Sequence, residues 1–123
     1  MKKIYVAGPI RDPNPIKFLQ NIREGIRTAG MLITEGYAPF CPQLDFQYFL
    51  QHENSECPNL EQVMAVSLEW LLQCDAVFVL PGWSQSHGTL EEMRIARLSG
   101  VPIFTSITQL KSHFKTNYEK EGV

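Results

Sequence analysis

The sequence predicts an α/β fold of flavodoxin-like type, a three-layer sandwich in which helices cover both faces of a four- to five-stranded parallel sheet. Short apolar segments of strand length alternate along the 123 residues with longer segments whose apolar residues recur at helical spacing. Such alternation gives parallel strands joined by right-handed crossovers. The length suits one domain, so we assign residues 1–123 to a single unit.

The first half of the chain predicts two strands with a long helix between them. Lys3–Ala7 is an apolar run ended by a Gly-Pro pair, which is typical of a buried strand. Two prolines and an asparagine predict a loop over residues 11–15. A helix is predicted over residues 16–35, with an apolar face formed by Leu19, Ile22, Ile26, Ala29 and Ile33. Residues 37–40 predict the second strand.

The second half predicts three more helices and two more strands. The helices fall over residues 60–71, 89–99 and 108–115, and the strands over residues 76–80 and 101–105. Asn59 is expected to cap the first of these helices, whose apolar face would carry Leu60, Val63, Met64, Ser67, Leu68 and Leu71. The strand over residues 76–80 is wholly apolar, as expected at the centre of a parallel sheet. Residues 41–58 predict a long lid or binding loop, or a short helix over residues 46–51.

Charge and composition narrow the class of partner. The net charge is −2 and no basic stripe is present, so the sequence predicts neither a nucleic acid polymer nor a membrane surface as partner. A small anionic ligand remains compatible, since a helix N-terminus and one arginine can hold a phosphate. The apolar run at the start is too short for a signal peptide and no segment could span a bilayer, so we expect a cytoplasmic protein.

The cysteines and histidines do not have the spacing of a metal site. They are few and widely separated, and they comprise Cys41, Cys57, Cys74, His52, His87 and His113. We therefore expect reduced thiols, no metal and no cofactor.

Two loops are predicted to frame a ligand site. Residues 8–15 follow the first strand, and residues 81–88 follow the wholly apolar strand. Parallel sheets bind ligands beyond the carboxyl ends of their strands, where the strand order changes direction. The site should lie between these two loops.

The segment from Ser86 to Glu92 allows two interpretations. Ser86 and Gly88 precede a helix N-terminus, which favours an anion, and Glu92 could present its carboxylate to the same cleft. A carboxylate beside an anion site suits attack on an oxocarbenium-like sugar centre. Alternatively, Thr89 and Glu92 fit a capping box, in which Glu92 only accepts the Thr89 backbone N–H.

Four nearby side chains are assigned simpler roles. His87 is interpreted as a loop residue rather than a base, and Glu91 as a solvated acid of the first helical turn. Asp75 is expected to cap or to form a salt bridge. Trp83 could be a core residue or a stacking platform for a base.

Three patches carry a family resemblance: Tyr-Val-Ala-Gly-Pro-Ile-Arg at residues 5–11, Trp-Leu-Leu-Gln-Cys-Asp at residues 70–75, and Ser-His-Gly-Thr-Leu-Glu-Glu at residues 86–92 and on to Ala96. They resemble the nucleoside 2-deoxyribosyltransferase superfamily, near the branch that hydrolyses 2′-deoxynucleoside 5′-monophosphates. The Leu-Pro-Gly-Trp loop at residues 80–83 is similar to a bacterial and phage branch of the superfamily.

The resemblance implies a role for each candidate residue. Glu92 would be the nucleophile that takes the deoxyribosyl group, and Tyr5 would lie beside it. Substrate-binding positions would be Gly8, Pro9, Arg11, Trp83, Ser86 and Gly88. Arg11 and Ser86 would hold the 5′-phosphate, since transferases of free nucleosides tend to have an acidic residue in place of Ser86. The partners implied are a small nucleotide or nucleoside and further copies of the chain, in a homodimer or larger assembly.

Two departures from the family pattern leave alternatives open. Ser67 stands where the family usually has an aspartate that helps to protonate the leaving base, and a serine is no useful acid near neutral pH. Asp45 is a possible substitute, although nothing in its spacing singles it out. Pro9 replaces a serine of the monophosphate hydrolases. The chain could instead be a non-catalytic nucleotide-binding module, or an interaction protein with an inactive site.

Overall fold

A computed structural model of the chain describes residues 1–48 and 57–120. The strands are β1 (Lys3–Ala7), β2 (Ala38–Phe40), β3 (Ala76–Val79) and β4 (Ile103–Phe104). The helices are α1 (Pro15–Thr34), α2 (Leu60–Leu71), α3 (His87–Leu98) and α4 (Ile107–Lys120). Two short 3-10 helices lie over Pro42–Phe46 and Trp83–Gln85.

The four strands form one parallel sheet in the order β2-β1-β3-β4. Tyr5 in β1 is paired with Phe40 on one side and with Val77 on the other. The chain thus leaves β1 in one direction to form β2 and returns to the opposite side to form β3. This change of direction creates a crevice at the carboxyl ends of β1 and β3. The predicted α/β fold with a parallel sheet is confirmed, with four strands among the described residues.

Helices cover both faces of the sheet, as alternation of side chains along β1 and β3 requires. One face buries Ile4, Val6, Ala76 and Phe78 against residues of α1 and α4, including Ala29, Leu32 and Leu110. The other face buries Tyr5, Ala7, Val77 and Val79 against residues of α2 and α3, including Leu71, Met93 and Ala96. The strands are apolar on both faces because each face meets a helical layer.

The buried side of α1 differs from the predicted one. Ile22 and Ala29 are buried as expected, but Leu19, Ile26 and Ile33 are exposed. The helix carries two adjacent apolar stripes, and the buried one consists of Ile22, Gly25, Thr28, Ala29 and Leu32. Its small residues let the helix approach its neighbours closely, which the larger side chains of the other stripe would prevent.

Capping side chains mark where two of the helices begin. Asn59 forms a reciprocal capping box with Gln62 at the start of α2, which confirms the predicted cap. Asn14 caps α1, and Pro15 occupies the first helical turn, where its missing N–H costs nothing. The predicted loop over residues 11–15 is therefore one residue too long.

Other boundaries also shift. The second, third and fourth strands are shorter than predicted, whereas α3 and α4 begin earlier, at His87 and Ile107. The alternative helix over residues 46–51 falls largely outside the described residues, and a 3-10 helix precedes it at Pro42–Phe46.

None of the described helices combines the length and apolarity needed to cross a membrane.

Candidate functional site

A cavity of about 720 Å³ opens at the carboxyl ends of β1 and β3. The loop after β1 and the loop after β3 form two of its walls, and α2, the first turns of α1 and α3 and the 3-10 helix Pro42–Phe46 also line it. The predicted site residues among those that line it are Gly8, Pro9, Arg11, Ser86, Gly88 and Glu92. The expected location of the site, between the two loops, is thus occupied by a cavity of ligand size.

Glu92 and Tyr5 form a buried pair beside this cavity. Glu92 projects from α3, is 6% exposed and lines the cavity. Tyr5 projects from β1 and is fully buried, and its phenolic oxygen donates a hydrogen bond to the Glu92 carboxylate. Tyr5 also stacks on Phe40, which in turn stacks on Trp70, so the phenol is held by packing as well as by the hydrogen bond.

The protonation of this pair follows from its burial. Burial raises the pKa of Glu92 from its ordinary 4.5 to about 7; the hydrogen bond from Tyr5 opposes this increase, and the nearby charge of Asp45 adds to it. Burial and the charge of Glu92 both raise the pKa of the Tyr5 phenol. Tyr5 therefore remains a neutral donor, while Glu92 exchanges its proton near neutral pH.

Ser86, rather than Thr89, caps α3. The Ser86 hydroxyl oxygen accepts the Thr89 backbone N–H at 3.2 Å and the Thr89 hydroxyl at 2.9 Å. The capping-box interpretation of Glu92 is therefore wrong, because the helix begins before Thr89 and Glu92 is bonded to Tyr5 instead. The Ser86 oxygen thus accepts two hydrogen bonds, and its own O–H proton can still donate one.

Two glycines allow the cavity walls to approach each other. A Cβ at Gly8 would lie 2.7 Å from Cδ1 of Leu80, so no larger residue fits between the first strand and the loop after β3. A Cβ at Gly88 would lie 3.2 Å from Cε of Met64, which is in α2. The start of α3 thus packs closely on α2, with backbone facing the cavity.

A second carboxyl group reaches the same cavity. Asp45 lies in the 3-10 helix Pro42–Phe46 and lines the cavity with Ser67 of α2. Ser67 is 4% exposed and donates a hydrogen bond to the Asp45 carboxylate at 3.2 Å. Burial raises the pKa of Asp45, and the bond from Ser67 partly offsets that effect. Sequence spacing gave no signal for this pair, since its members lie 22 residues apart on different elements.

The remaining candidates are distributed around the cavity. Trp83 is 36% exposed and is not among the cavity-lining residues, although Gly82 and Gln85 beside it are. Arg11 and Lys17 line the cavity with exposed side chains. His87 lines it at the first residue of α3, so its interpretation as a loop residue is wrong.

Asp75 and Glu91 have structural roles that differ from the predicted ones, since Asp75 binds a strand N–H rather than a helix end or a cation, and Glu91 lies beyond the first turn of α3. Asp75 accepts the Lys3 backbone N–H at 2.8 Å, at the edge of the sheet opposite the cavity. Glu91 forms an exposed ion pair with Arg94 at 2.6 Å. Within residues 1–48 and 57–120, no three His, Cys, Asp or Glu side chains are grouped as metal ligands would be.

Comparison with known proteins gives a family and a fold. The family model described as "Domain of unknown function (DUF4406)" matches residues 2–105. No curated protein matches the chain. A 2-deoxyribosyltransferase from Bacillus psychrosaccharolyticus is similar in structure, with a TM-score of 0.60 and 21% identity over 82% of this chain and 69% of that one. A conserved protein from Enterococcus faecalis V583 has a TM-score of 0.58 and 22% identity over 98% of this chain and 76% of that one.

Proposed function

The chain belongs to the DUF4406 family, and we propose that it cleaves or transfers at the N-glycosidic bond of a 2′-deoxynucleoside 5′-monophosphate, with Glu92 as the nucleophile. The observation that carries this proposal is the buried Glu92 carboxylate, which Tyr5 holds at the wall of a cavity of about 720 Å³. A fixed and poorly solvated carboxylate is the group that such a reaction needs opposite an anomeric carbon.

The chemistry assigns one oxygen of Glu92 to attack. The carboxylate adds to C1′ as the bond to the base breaks, which forms a deoxyribosyl ester; water or a second base then releases the sugar. The hydrogen bond from Tyr5 orients the carboxyl group. With the pKa of Glu92 raised to about 7, a substantial fraction is ionised at neutral pH and available as nucleophile.

The choice of a monophosphate is supported by the other end of the cavity. Ser86 lines the cavity together with His87 and Gly88, the first two residues of α3, whose backbone N–H groups have no acceptor within that helix. Arg11 and Lys17 add positive charge at the cavity. An acidic side chain in place of Ser86 would instead suit the hydroxyl of a free nucleoside.

The comparisons are compatible with the proposed reaction, but they do not identify the substrate or the nucleophile. The chain has the fold of a protein named as a 2-deoxyribosyltransferase, and its patches at residues 5–11, 70–75 and 86–92 resemble that superfamily. At 21% identity the structural likeness carries only the fold. The glutamate nucleophile and the monophosphate therefore depend on the contacts of Glu92, Ser86 and Arg11.

Base release from single deoxynucleotides tests the proposal. The protein is incubated with each of the four 2′-deoxynucleoside 5′-monophosphates, and free base is measured by chromatography. We expect release from at least one of them, and its loss in Glu92→Gln. Glu91→Gln is the matched control, since Glu91 is a neighbouring but exposed carboxylate paired with Arg94. Full release by Glu92→Gln would overturn the assignment of the nucleophile.

One observation favours a second function, a nucleotide-binding module without catalysis. Ser67 occupies the cavity position where the resemblance leads us to expect an acid. Such a module would show a rise in melting temperature with a deoxynucleoside monophosphate and would release no base. A protein that responds in neither assay would have neither function.

We also propose a homodimer or larger assembly in the cytoplasm. Exposed apolar side chains on α1 lie three or seven residues apart along one stripe, at Ile16, Leu19, Ile26 and Ile33. A stripe of this kind can be covered by a second copy of the chain. The free thiols of Cys41, Cys57 and Cys74 are consistent with a reducing compartment.

A further inference from the structure

We propose that Asp45 is the acid that protonates the departing base, and that Ser67 positions it. This inference rests on the proposed function and adds to it a catalytic residue. Cleavage of an N-glycosidic bond leaves an electron pair on the base, and a positioned acid accelerates such a step. The Tyr5 phenol is already committed to Glu92, so the proton has to come from another group at the cavity.

Asp45 reaches the cavity from a different element than Glu92 does. Glu92 lies on α3, whereas Asp45 lies on the 3-10 helix Pro42–Phe46, and both line the same cavity. Ser67 lies between the two groups, since it donates to Asp45 at 3.2 Å and is close to Tyr5, the partner of Glu92. A substrate in the cavity would therefore meet one carboxyl group at its sugar and the other within reach of its base.

The segment that carries Asp45 is anchored. Gln43, two residues before it, is fully buried, and its side chain occupies the space beside Gly25 of α1. Cys41 donates a hydrogen bond from its thiol to the Gln43 side-chain oxygen at 3.3 Å. A short 3-10 helix held in this way can keep a carboxyl group in one place.

The surroundings of Asp45 suit a proton donor, whereas the other aspartate at the cavity is engaged in a turn. Burial raises the pKa of Asp45, which favours its protonated form. Asp12 also lines the cavity, but its carboxylate accepts the Asn14 backbone N–H at 2.8 Å. That bond engages the Asp12 carboxylate in the turn before α1.

The proposed step balances as follows. A Glu92 carboxylate oxygen forms a bond to C1′, the bond from C1′ to the base nitrogen breaks with its electron pair on the base, and the Asp45 proton passes to the base. Water then attacks C1′ of the ester and gives a proton to the Asp45 carboxylate. The Glu92 carboxylate leaves, so both residues return to their starting states.

The test compares two leaving groups. The first substrate is whichever deoxynucleoside monophosphate the protein cleaves, and the second is 4-nitrophenyl 2-deoxyriboside 5-phosphate, whose leaving group departs without a proton. Asp45→Asn should lower the rate of base release by a factor of about 10²–10⁴ and hardly affect release of nitrophenolate. Glu69→Gln, an exposed carboxylate change on α2, should leave both rates unchanged.

Further variants examine the positioning residue. Ser67→Ala should reduce base release less than Asp45→Asn does, again without affecting nitrophenolate release. The double variant Asp45→Asn with Ser67→Asp should recover base release, because it returns a carboxyl group to the same corner of the cavity. These variants also keep the proposal testable if Asp45→Asn alone does not fold.

The outcomes separate this inference from the proposed function. If the wild-type protein releases neither leaving group, the proposed function fails and the inference fails with it. If it is active and Asp45→Asn slows both substrates equally, only the role of Asp45 is overturned. A leaving-group dependence seen for His87→Gln instead of Asp45→Asn would assign the proton to His87 and would also overturn the inference.

Discussion

The raised pKa of Glu92 should make the free energy of unfolding depend on pH. Folding raises its pKa from 4.5 to about 7, so the folded state holds the proton more tightly than the unfolded state between these values. The free energy of unfolding should therefore fall as the pH rises from about 4.5 to about 7, and ionisation of Glu92 costs the folded state about 3 kcal/mol.

Glu92→Gln removes this contribution. Between pH 5 and pH 7.5 the free energy of unfolding should decrease in both proteins or in the wild type alone. The decrease should be smaller in the variant by roughly 2–3 kcal/mol. Urea unfolding at the two pH values measures the difference, with Glu91→Gln as a control on the exposed side of the same helix. Parallel pH profiles for wild type and Glu92→Gln would show that Glu92 is not the titrating group.

Arg11 gives a prediction about affinity. A charge-assisted hydrogen bond to phosphate contributes about 1.5–3 kcal/mol, so Arg11→Ala should weaken binding of a deoxynucleoside monophosphate tenfold or more. Binding of the matching free nucleoside should hardly change, because it has no phosphate. Isothermal titration with both ligands measures the contrast, and equal losses for the two would assign Arg11 a structural role.

At the scale of elements, two glycines of α1 have opposite surroundings, one tightly packed and one open. Gly25 lies on the buried stripe, where a Cβ would overlap the fully buried Gln43 side chain and come within 2.8 Å of its Cβ. Gly30 lies on the same helix, and a Cβ there would meet nothing within 4 Å. The two positions therefore form a matched pair for the same substitution.

Gly25→Ala should destabilise the protein by about 1–3 kcal/mol, because overpacking forces Gln43 and its 3-10 helix to move. Gly30→Ala should stabilise it by up to about 1 kcal/mol through helix propensity. Thermal or urea unfolding of both variants checks the opposite signs. If Gly25→Ala is as stable as the wild-type protein, the close contact between α1 and the 3-10 helix is not rigid.

At the scale of the whole molecule, the exposed stripe on α1 leads to a prediction of mass. The chain is 14.0 kDa, and light scattering should give at least twice that value if a second copy covers the stripe. Leu19→Glu, a change at a 62% exposed position, should lower the measured mass toward that of one chain because it places a charge in the contact. A monomeric wild-type protein would contradict the proposed assembly.

The sequence by itself determined the features that depend on neighbouring residues. Lys3–Ala7 predicts a buried strand because it is apolar and ended by Gly8-Pro9, and the cap at Asn59 follows from its own side chain and that of Gln62. The alternation of such elements predicts a parallel sheet, and the parallel sheet predicts which edge holds the cavity. These predictions needed no knowledge of which residues meet across the fold.

Only the tertiary structure decided which distant side chains meet. Tyr5 and Glu92 lie 87 residues apart; the family resemblance implies that they are neighbours, but no periodicity pairs them, and their hydrogen bond forms only when β1 and α3 pack together. The contact between Ser67 and Asp45 and the burial of the Gly25 side of α1 depend in the same way on how the elements pack. Local patterns specify the element that a residue joins, whereas the partner of a buried polar group is set by packing between elements, where an unpaired polar group is costly.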